Sequence, residues 1–368
     1  MTYIVWFDEY RDEHLPIVGG KNRSLGEMTL AGLPVPPGFA LTTHAYRQMR
    51  DQDADARHEV QDLLARIDLD DAAGLQEIAA KVRQRIEDIP MPAAVDEAIR
   101  EAYGRLGEVC GDGAIPVAVR SSATAEDLID ASFAGLQDTY LWISGEDDVV
   151  AHVKRCWSSC FTDRAIAYRH EMGHDHDRLL MSVAIQKMIR PKAAGVAFTL
   201  NPTDGDRSQV AIDAAWGFGE SVVSGEVTPD NFLVDKVIYE IVSRAISPKT
   251  IEYRLSDDGR SVEKAAVPDD RVTAPSLTDD EVKAVAWLAR QAERHYGAPQ
   301  DVEWAIDMDL PDNENAVLLQ SRPETVWSRK PRKPVAKGRG DLMDGIVSTL
   351  LNPVHTRSKA STTQEQGN

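Results

Sequence analysis

The tightest constraint on this chain is a pair of alternating runs near its end. Val302, Trp304 and Ile306 alternate with Glu303, Ala305 and Asp307, and Val317, Leu319 and Ser321 alternate with Leu318, Gln320 and Arg322. Successive side chains of a strand point to opposite faces, so a period of two marks a half-buried strand. Between the runs, residues 309–315 hold Pro311, Asp312 and Asn313, which turn the chain and make the runs a hairpin. Its midpoint falls between Pro311 and Asp312, which sets Glu303 roughly opposite Gln320 on one face, with Arg322 two residues along. A carboxylate and an amide oxygen so placed can ligate one Mg²⁺, a cation that takes oxygen donors. Arg322 could then hold a phosphate that the metal also touches. A solvated hairpin face is the alternative reading of the same trio.

A second stretch, residues 115–139, has similar character. Val117, Ala118 and Val119 are the apolar run of a buried strand that delivers Arg120 at its end. There follow Ser121, Ser122, Ala123 and Thr124, and later Ser132-Phe133-Ala134-Gly135-Leu136-Gln137-Asp138-Thr139. Small and hydroxyl residues let backbone N–H groups approach an anion, and the arginine fork matches phosphate oxygens two at a time. A polar loop with a surface ion pair would also account for this stretch.

The 368 residues suffice for two packed domains. A formal net charge of -19 makes the chain a poor partner for nucleic acid or an anionic membrane, so no nucleic-acid and no membrane role is expected. The N-terminus lacks the basic start and long apolar core of a signal peptide, and a cytoplasmic location is expected. Cys156 and Cys160 lie four apart on an apparent helix over 147–171, where core thiols fit better than a metal pair. His170, His174 and His176, near Asp175 and Asp177, match no standard ligand spacing and read as a surface cluster.

Elsewhere, residues 3–7 suit a first strand, and Gly19-Gly20-Lys21-Asn22 opens a helix with Leu25, Met28 and Leu33 on one side. Lys21 is either a solvated cap or a phosphate lysine at a helix start. Residues 59–107 are amphipathic and helical, and read as scaffold. Residues 181–189 form a strand with Val183, Ile185 and Ile189 on one face and Gln186 and Met188 on the other. Strands are expected over 194–200 and 209–215, then a glycine-rich loop over 216–225 and a hairpin over 231–247. Thr278-Asp279-Asp280-Glu281 is a capping box for a helix running to Gly297. Residues 328–340 are basic and Pro-rich, and 342–351 form a short apolar segment suited to docking on a partner.

In order and spacing these pieces resemble the N-terminal ATP-binding domain of the phosphoenolpyruvate synthase and pyruvate, phosphate dikinase family, over roughly residues 3–327. The resemblance is carried by Gly19-Gly20-Lys21-Asn22 with Leu33-Pro34-Val35-Pro36-Pro37-Gly38-Phe39, by 119–127 and 132–139, and by Gln186-Lys187-Met188. It continues through 217–230, Asp301-Val302-Glu303-Trp304-Ala305 and Leu319-Gln320-Ser321-Arg322-Pro323-Glu324-Thr325. It implies a mixed α+β, α/β chain with an ATP-grasp fold, in which subdomains over 1–190 and 191–327 enclose the nucleotide and 328–368 form a basic linker and tail. It further implies that Lys21, Arg120 and Arg322 are catalytic and bind phosphates. Ser132, Gly135, Gln137 and Thr139 would cover the γ-phosphate, Gln186 and Met188 would meet the adenine, and Glu303 and Gln320 would ligate Mg²⁺. ATP would be split to AMP and Pi, the β-phosphoryl passing to a histidine on a swivelling domain.

None of the nine histidines sits in a phosphohistidine motif. The expectation is therefore a free-standing ATP-cleaving subunit that works with a phosphohistidine-domain partner. The organisation resembles the ATP-binding subunit of phenylphosphate synthase. A split phosphoenolpyruvate synthase or a rifampicin-phosphotransferase-like component are the alternatives, and a non-catalytic ATP-binding regulatory module is an alternative of another class.

Overall fold

The computed structural model describes residues 1–111, 113–123, 138–173, 176 and 179–327. Met1–Glu324 form one compact unit built on two antiparallel sheets. The first sheet has the order β1-β2-β5-β3-β4, from Ile4–Trp6, Gly38–Leu41, Met181–Lys187, Val117–Ala123 and Thr139–Ile143. The second has the order β13-β12-β6-β7-β8-β9, from Ala316–Pro323, Gln300–Asp307, Pro191–Phe198, Gln209–Trp216, Asp230–Asp235 and Ile241–Ala245. A separate ribbon pairs β10 (Ile251–Leu255) with β11 (Val262–Ala266).

Helices cover one face of each sheet. On the first, Phe39, Leu41, Val117, Val119, Val183 and Ile185 pack beneath α2 (Thr43–Asp51), α3 (Ala54–Leu64), α4 (Ala72–Asp88), α5 (Ala93–Cys110), α6 (Glu146–Ser158) and α7 (Asp163–Glu171). The alternation of β5 explains the split: Val183 and Ile185 enter this core while Ala184 turns to the other face. On the second sheet, Val302, Trp304, Ile306 and Leu318 pack against Val282, Val285, Leu288 and Ala292 of α10 (Asp279–Tyr296). The helix α1 (Leu15–Leu30) adds Leu25 and Met28 to that second core, beside Ala184 of the first sheet. It therefore bridges the two sheets. Two single-turn helices, α8 (Glu220–Val223) and α9 (Asp269–Val272), lie in loops.

Three expectations need correction. The helix over 147–171 is broken: α6 ends at Ser158, a tight turn spans Ser159–Phe161, and Thr162 starts α7 by accepting from the Ala165 N–H at 3.3 Å. The helix expected to open at Gly19-Gly20 begins at Leu15, and Gly19 kinks it with φ 71. The strand expected to reach Ile189 ends at Lys187, because the chain turns into β6 at Pro191. Ile189 therefore leaves the Val183 face and packs with Ala194, Ala305 and Val317. The capping box stands as read, with Thr278 and Glu281 exchanging bonds at 2.7 and 3.3 Å.

Candidate active site

The kink at Gly19 positions the first functional side chain. A glycine takes φ 71 without the Cβ clash other residues meet, and the turn it makes frees the Val18 carbonyl from the helix ladder. That carbonyl accepts from Asn22 Nδ2 at 2.9 Å, from Ser122 Oγ at 3.2 Å and from Ser182 Oγ. The break thus ties α1 to β3 and β5, and from the turn beyond it Lys21 Nζ reaches the Ser121 carbonyl at 3.0 Å. One turn on, Ser24 Oγ donates to the Ser321 carbonyl at 2.7 Å and accepts from the Ser321 N–H at 3.2 Å, docking α1 on β13.

The hairpin register is the one the alternation predicts. Glu303 pairs with Gln320 and Asp301 with Arg322, up to a bulge between Glu303 and Trp304 beyond which Trp304 pairs with Leu318. Leu319 is the extra residue, left without a partner in the ladder. Its carbonyl accepts from Arg120 Nη1 at 3.1 Å. Arg120 Nη2 donates to Glu303 Oε2 at 3.0 Å and to Gln320 Oε1 at 2.8 Å. Glu303 and Gln320 therefore share a face and converge on one cationic nitrogen. Arg120, 12% exposed, crosses from the first sheet to the second to reach them.

Lys21, Arg120, Glu303 and Gln320 are thus joined by direct contacts or by the adjoining Ser121. Arg322, two residues beyond Gln320, is 61% exposed, with Nε 3.4 Å from Asp301 Oδ2. Asp301 is a residue the sequence reading left without a role. Its Oδ1 is buried with no hydrogen-bond partner, and burial pushes its carboxyl above the usual range against the pull of Arg322. The signal was available, since Asp301 precedes Glu303 by two and so shares its face. Further along the same sheet row, Asp213 faces Val196 across β6–β7 and accepts from Asn231 Nδ2 at 2.8 Å; burial raises its carboxyl too.

An apolar patch adjoins the charged group. Ala118, Met188 and Phe218 cluster with Leu141, Trp142, Tyr253 and Val262, which come from the first sheet, the glycine-rich loop and the ribbon. Trp142, at an unusual φ of 61, meets Phe218 edge-on at 6.1 Å and donates from Nε1 to the Gly259 carbonyl at 2.9 Å. Gln186 is buried and donates from Nε2 to the Pro36 carbonyl at 3.1 Å, while the Met188 N–H bonds the Pro116 carbonyl at 2.9 Å. Thr139 is the exposed first residue of β4, opposite Arg120. Ser132, Gly135, Gln137, His174, Asp175 and Asp177, with residues 328–368, lie outside the described residues.

Among the described residues no group of three or more His, Cys, Asp or Glu side chains is placed to hold a metal. A Mg²⁺ ion bound with a nucleotide needs less, since it keeps several waters and uses one or two protein oxygens plus phosphates. Two hard oxygens that already converge on a positive nitrogen fit that requirement.

This mixed α/β chain of two antiparallel sheets falls in a class of ATP-binding domains. Residues 15–340 match the family described as "Pyruvate phosphate dikinase, AMP/ATP-binding domain", and the chain belongs to that family. It is 45% identical over 361 residues to a probable phosphoenolpyruvate synthase of Staphylothermus marinus, covering 92% of this chain and 43% of that one. Against the phosphoenolpyruvate synthase of Aeropyrum pernix it is 41% identical, covering 91% and 44%. Against a rifampicin phosphotransferase of a Streptomyces species it is 41% identical, covering 86% and 35%. The chain thus spans less than half the length of these relatives. No described helix is long and apolar enough to cross a membrane.

Proposed function

We propose that this chain is the ATP-cleaving part of a dikinase-type phosphotransferase: the β-phosphoryl of ATP passes to a histidine on a partner subunit, AMP leaves, and water takes the γ-phosphoryl to give Pi. The observation that carries this reading is the convergence of Arg120, Glu303 and Gln320, from strands of two different sheets, beside Lys21. Phosphoryl transfer is mostly positioning and charge neutralisation, and these are the groups it needs.

In this reading Lys21 and Arg120 neutralise the phosphate chain, and Arg322 reaches the transferring group from an exposed position that lets it follow the substrate. Glu303 and Gln320 would hold Mg²⁺, which supplies charge neutralisation across the phosphates. Asp301 orients Arg322 through its contact with Nε. The patch of Ala118, Met188 and Phe218 offers the flat apolar surface an adenine ring needs, and the γ-phosphate role that the family resemblance implies would fall to Ser132, Gly135, Gln137 and Thr139. A regulatory module that binds ATP without turnover could dispense with Arg322.

For the final acceptor we propose phenol, the acceptor of phenylphosphate synthase, whose ATP-binding subunit the chain resembles. A second reading, pyruvate, is favoured by the relatives named phosphoenolpyruvate synthase. The test is to incubate the chain with Mg²⁺ and β-labelled ATP, alone and with a histidine-domain partner, then with phenol or pyruvate. The chain alone should bind ATP and turn it over very slowly, because an in-line acceptor supplies much of the rate. Partner addition should release AMP and Pi, and label in phenylphosphate or in phosphoenolpyruvate identifies the acceptor. Rapid transfer of label to an organic acceptor by this chain alone would overturn the partner reading.

A further inference from the structure

Arg120 does more here than line a phosphate site. Its three hydrogen bonds all run to the hairpin of β12 and β13: to the Leu319 carbonyl, to Glu303 Oε2 and to Gln320 Oε1. The last two share the single atom Nη2, at 3.0 and 2.8 Å. Those distances place one positive nitrogen between the two oxygens that suit a divalent cation. A nitrogen and a cation cannot occupy that position together, since oxygen–metal distances of about 2.1 Å draw the oxygens onto the ion.

We infer that Arg120 sets the order in which metal and nucleotide enter, by competing with the metal for Glu303 and Gln320. The inference rests on the reading of those two residues as metal ligands. While Arg120 holds them, a free divalent cation must displace a half-buried, charge-assisted bond and part the guanidinium from the Glu303 carboxylate. A nucleotide changes this, because its phosphates offer the guanidinium a second set of oxygens. Arg120 then moves from carboxylate to phosphate, and the vacated oxygens take the cation that the phosphates also bind. No covalent bond changes in this exchange. Its consequence is that metal is admitted with nucleotide and excluded without it. In a strongly acidic chain, that keeps the site from filling with adventitious divalent ions.

The test is Mn²⁺ binding to the full chain without nucleotide, followed by the loss of the free-ion paramagnetic resonance signal. Wild type should bind Mn²⁺ weakly. Arg120→Met, which keeps the bulk of the stem and removes the charge, should bind it about ten- to a hundredfold more tightly, the factor expected for releasing one charge-assisted hydrogen bond. Arg120→Lys keeps the charge but cannot reach all three acceptors, and should give a smaller gain in a protein that folds even if Arg120→Met does not. Adding Glu303→Gln to either variant should abolish the gain. If neither variant gains affinity while wild type takes up Mn²⁺ together with ATP, Arg120 is no gate, though the ligand assignment stands. A gain that survives Glu303→Gln puts the ion elsewhere and overturns both. Failure of wild type to bind Mn²⁺ even with ATP overturns the ligand assignment and the gate with it.

Discussion

At the scale of single residues, the site is held by partners drawn from distant parts of the chain, and this fixes what substitutions do. A hairpin carboxylate facing solvent would cost under about 0.5 kcal/mol on removal. Glu303 instead pairs with Arg120, which is 12% exposed, so Glu303→Ala should cost about 1 kcal/mol as the guanidinium loses its charged partner. Denaturant unfolding reads that cost, and ATP turnover with the partner should be lost at the same time. Asp301 gives a sharper case. Burial raises its folded-state pKa, so the native protein holds a proton there more tightly than the unfolded chain does. Its contribution is therefore intact at pH values below about 4, the ordinary range of the group, and declines as pH rises through the raised value. Asp301→Asn should remove that component of the pH slope and be relatively more stable at pH 7 than at pH 4. A wild-type minus variant difference that does not change with pH would refute it. The pairing of Glu303 with Gln320 was legible because alternation and one turn fix a register. Arg120's hold on both was not, because nothing in a linear sequence says which strands of two sheets will face each other.

At the scale of elements, the long-period signals read well and the local breaks did not. The amphipathic helices, the capping box and the terminal hairpin follow from periodicity and cap chemistry. The break between α6 and α7 has no glycine or proline to announce it; only Thr162 followed by Asp163 marked a new start. The ribbon of β10 and β11 was missed altogether, although Ile251, Tyr253 and Leu255 alternate ahead of the Asp257-Asp258-Gly259 turn. Its high content of charged residues hid the pattern. The ribbon is anchored at Gly217, whose φ is 71 and where an added Cβ would meet the Tyr253 carbonyl at 2.1 Å. Phe218 N–H bonds that same carbonyl at 2.8 Å. Gly217→Ala should therefore displace the ribbon, at a cost of about 1–3 kcal/mol, and weaken nucleotide binding by disturbing Phe218 and Tyr253. Isothermal titration with ATP would show it. Unchanged affinity would detach the apolar patch from the nucleotide.

At the scale of the whole molecule, every described residue assigned to the site lies at or before Arg322. Truncation after Trp327 should leave Mg·ATP binding unchanged, and if the basic stretch and the apolar segment beyond it dock a partner, it should weaken association with the histidine protein. Equal pull-down of the partner by the shortened chain would dispose of the docking role. The contact of Ser24 with Ser321 has a different consequence. It joins the start of the unit to its last strand, so the site closes only when β13 has been made. All five strands of the first sheet are complete by Lys187, but the oxygens that Arg120 grips arrive with the final hairpin. At roughly 5–20 residues per second, the ribosome needs on the order of ten seconds to travel from one to the other. During that interval the growing chain carries the first sheet with Arg120 still lacking the hairpin oxygens it grips. Competence for ATP is in this sense a checkpoint on completion of the Met1–Glu324 unit, since a chain that stalls before Gln320 holds only half of the clamp.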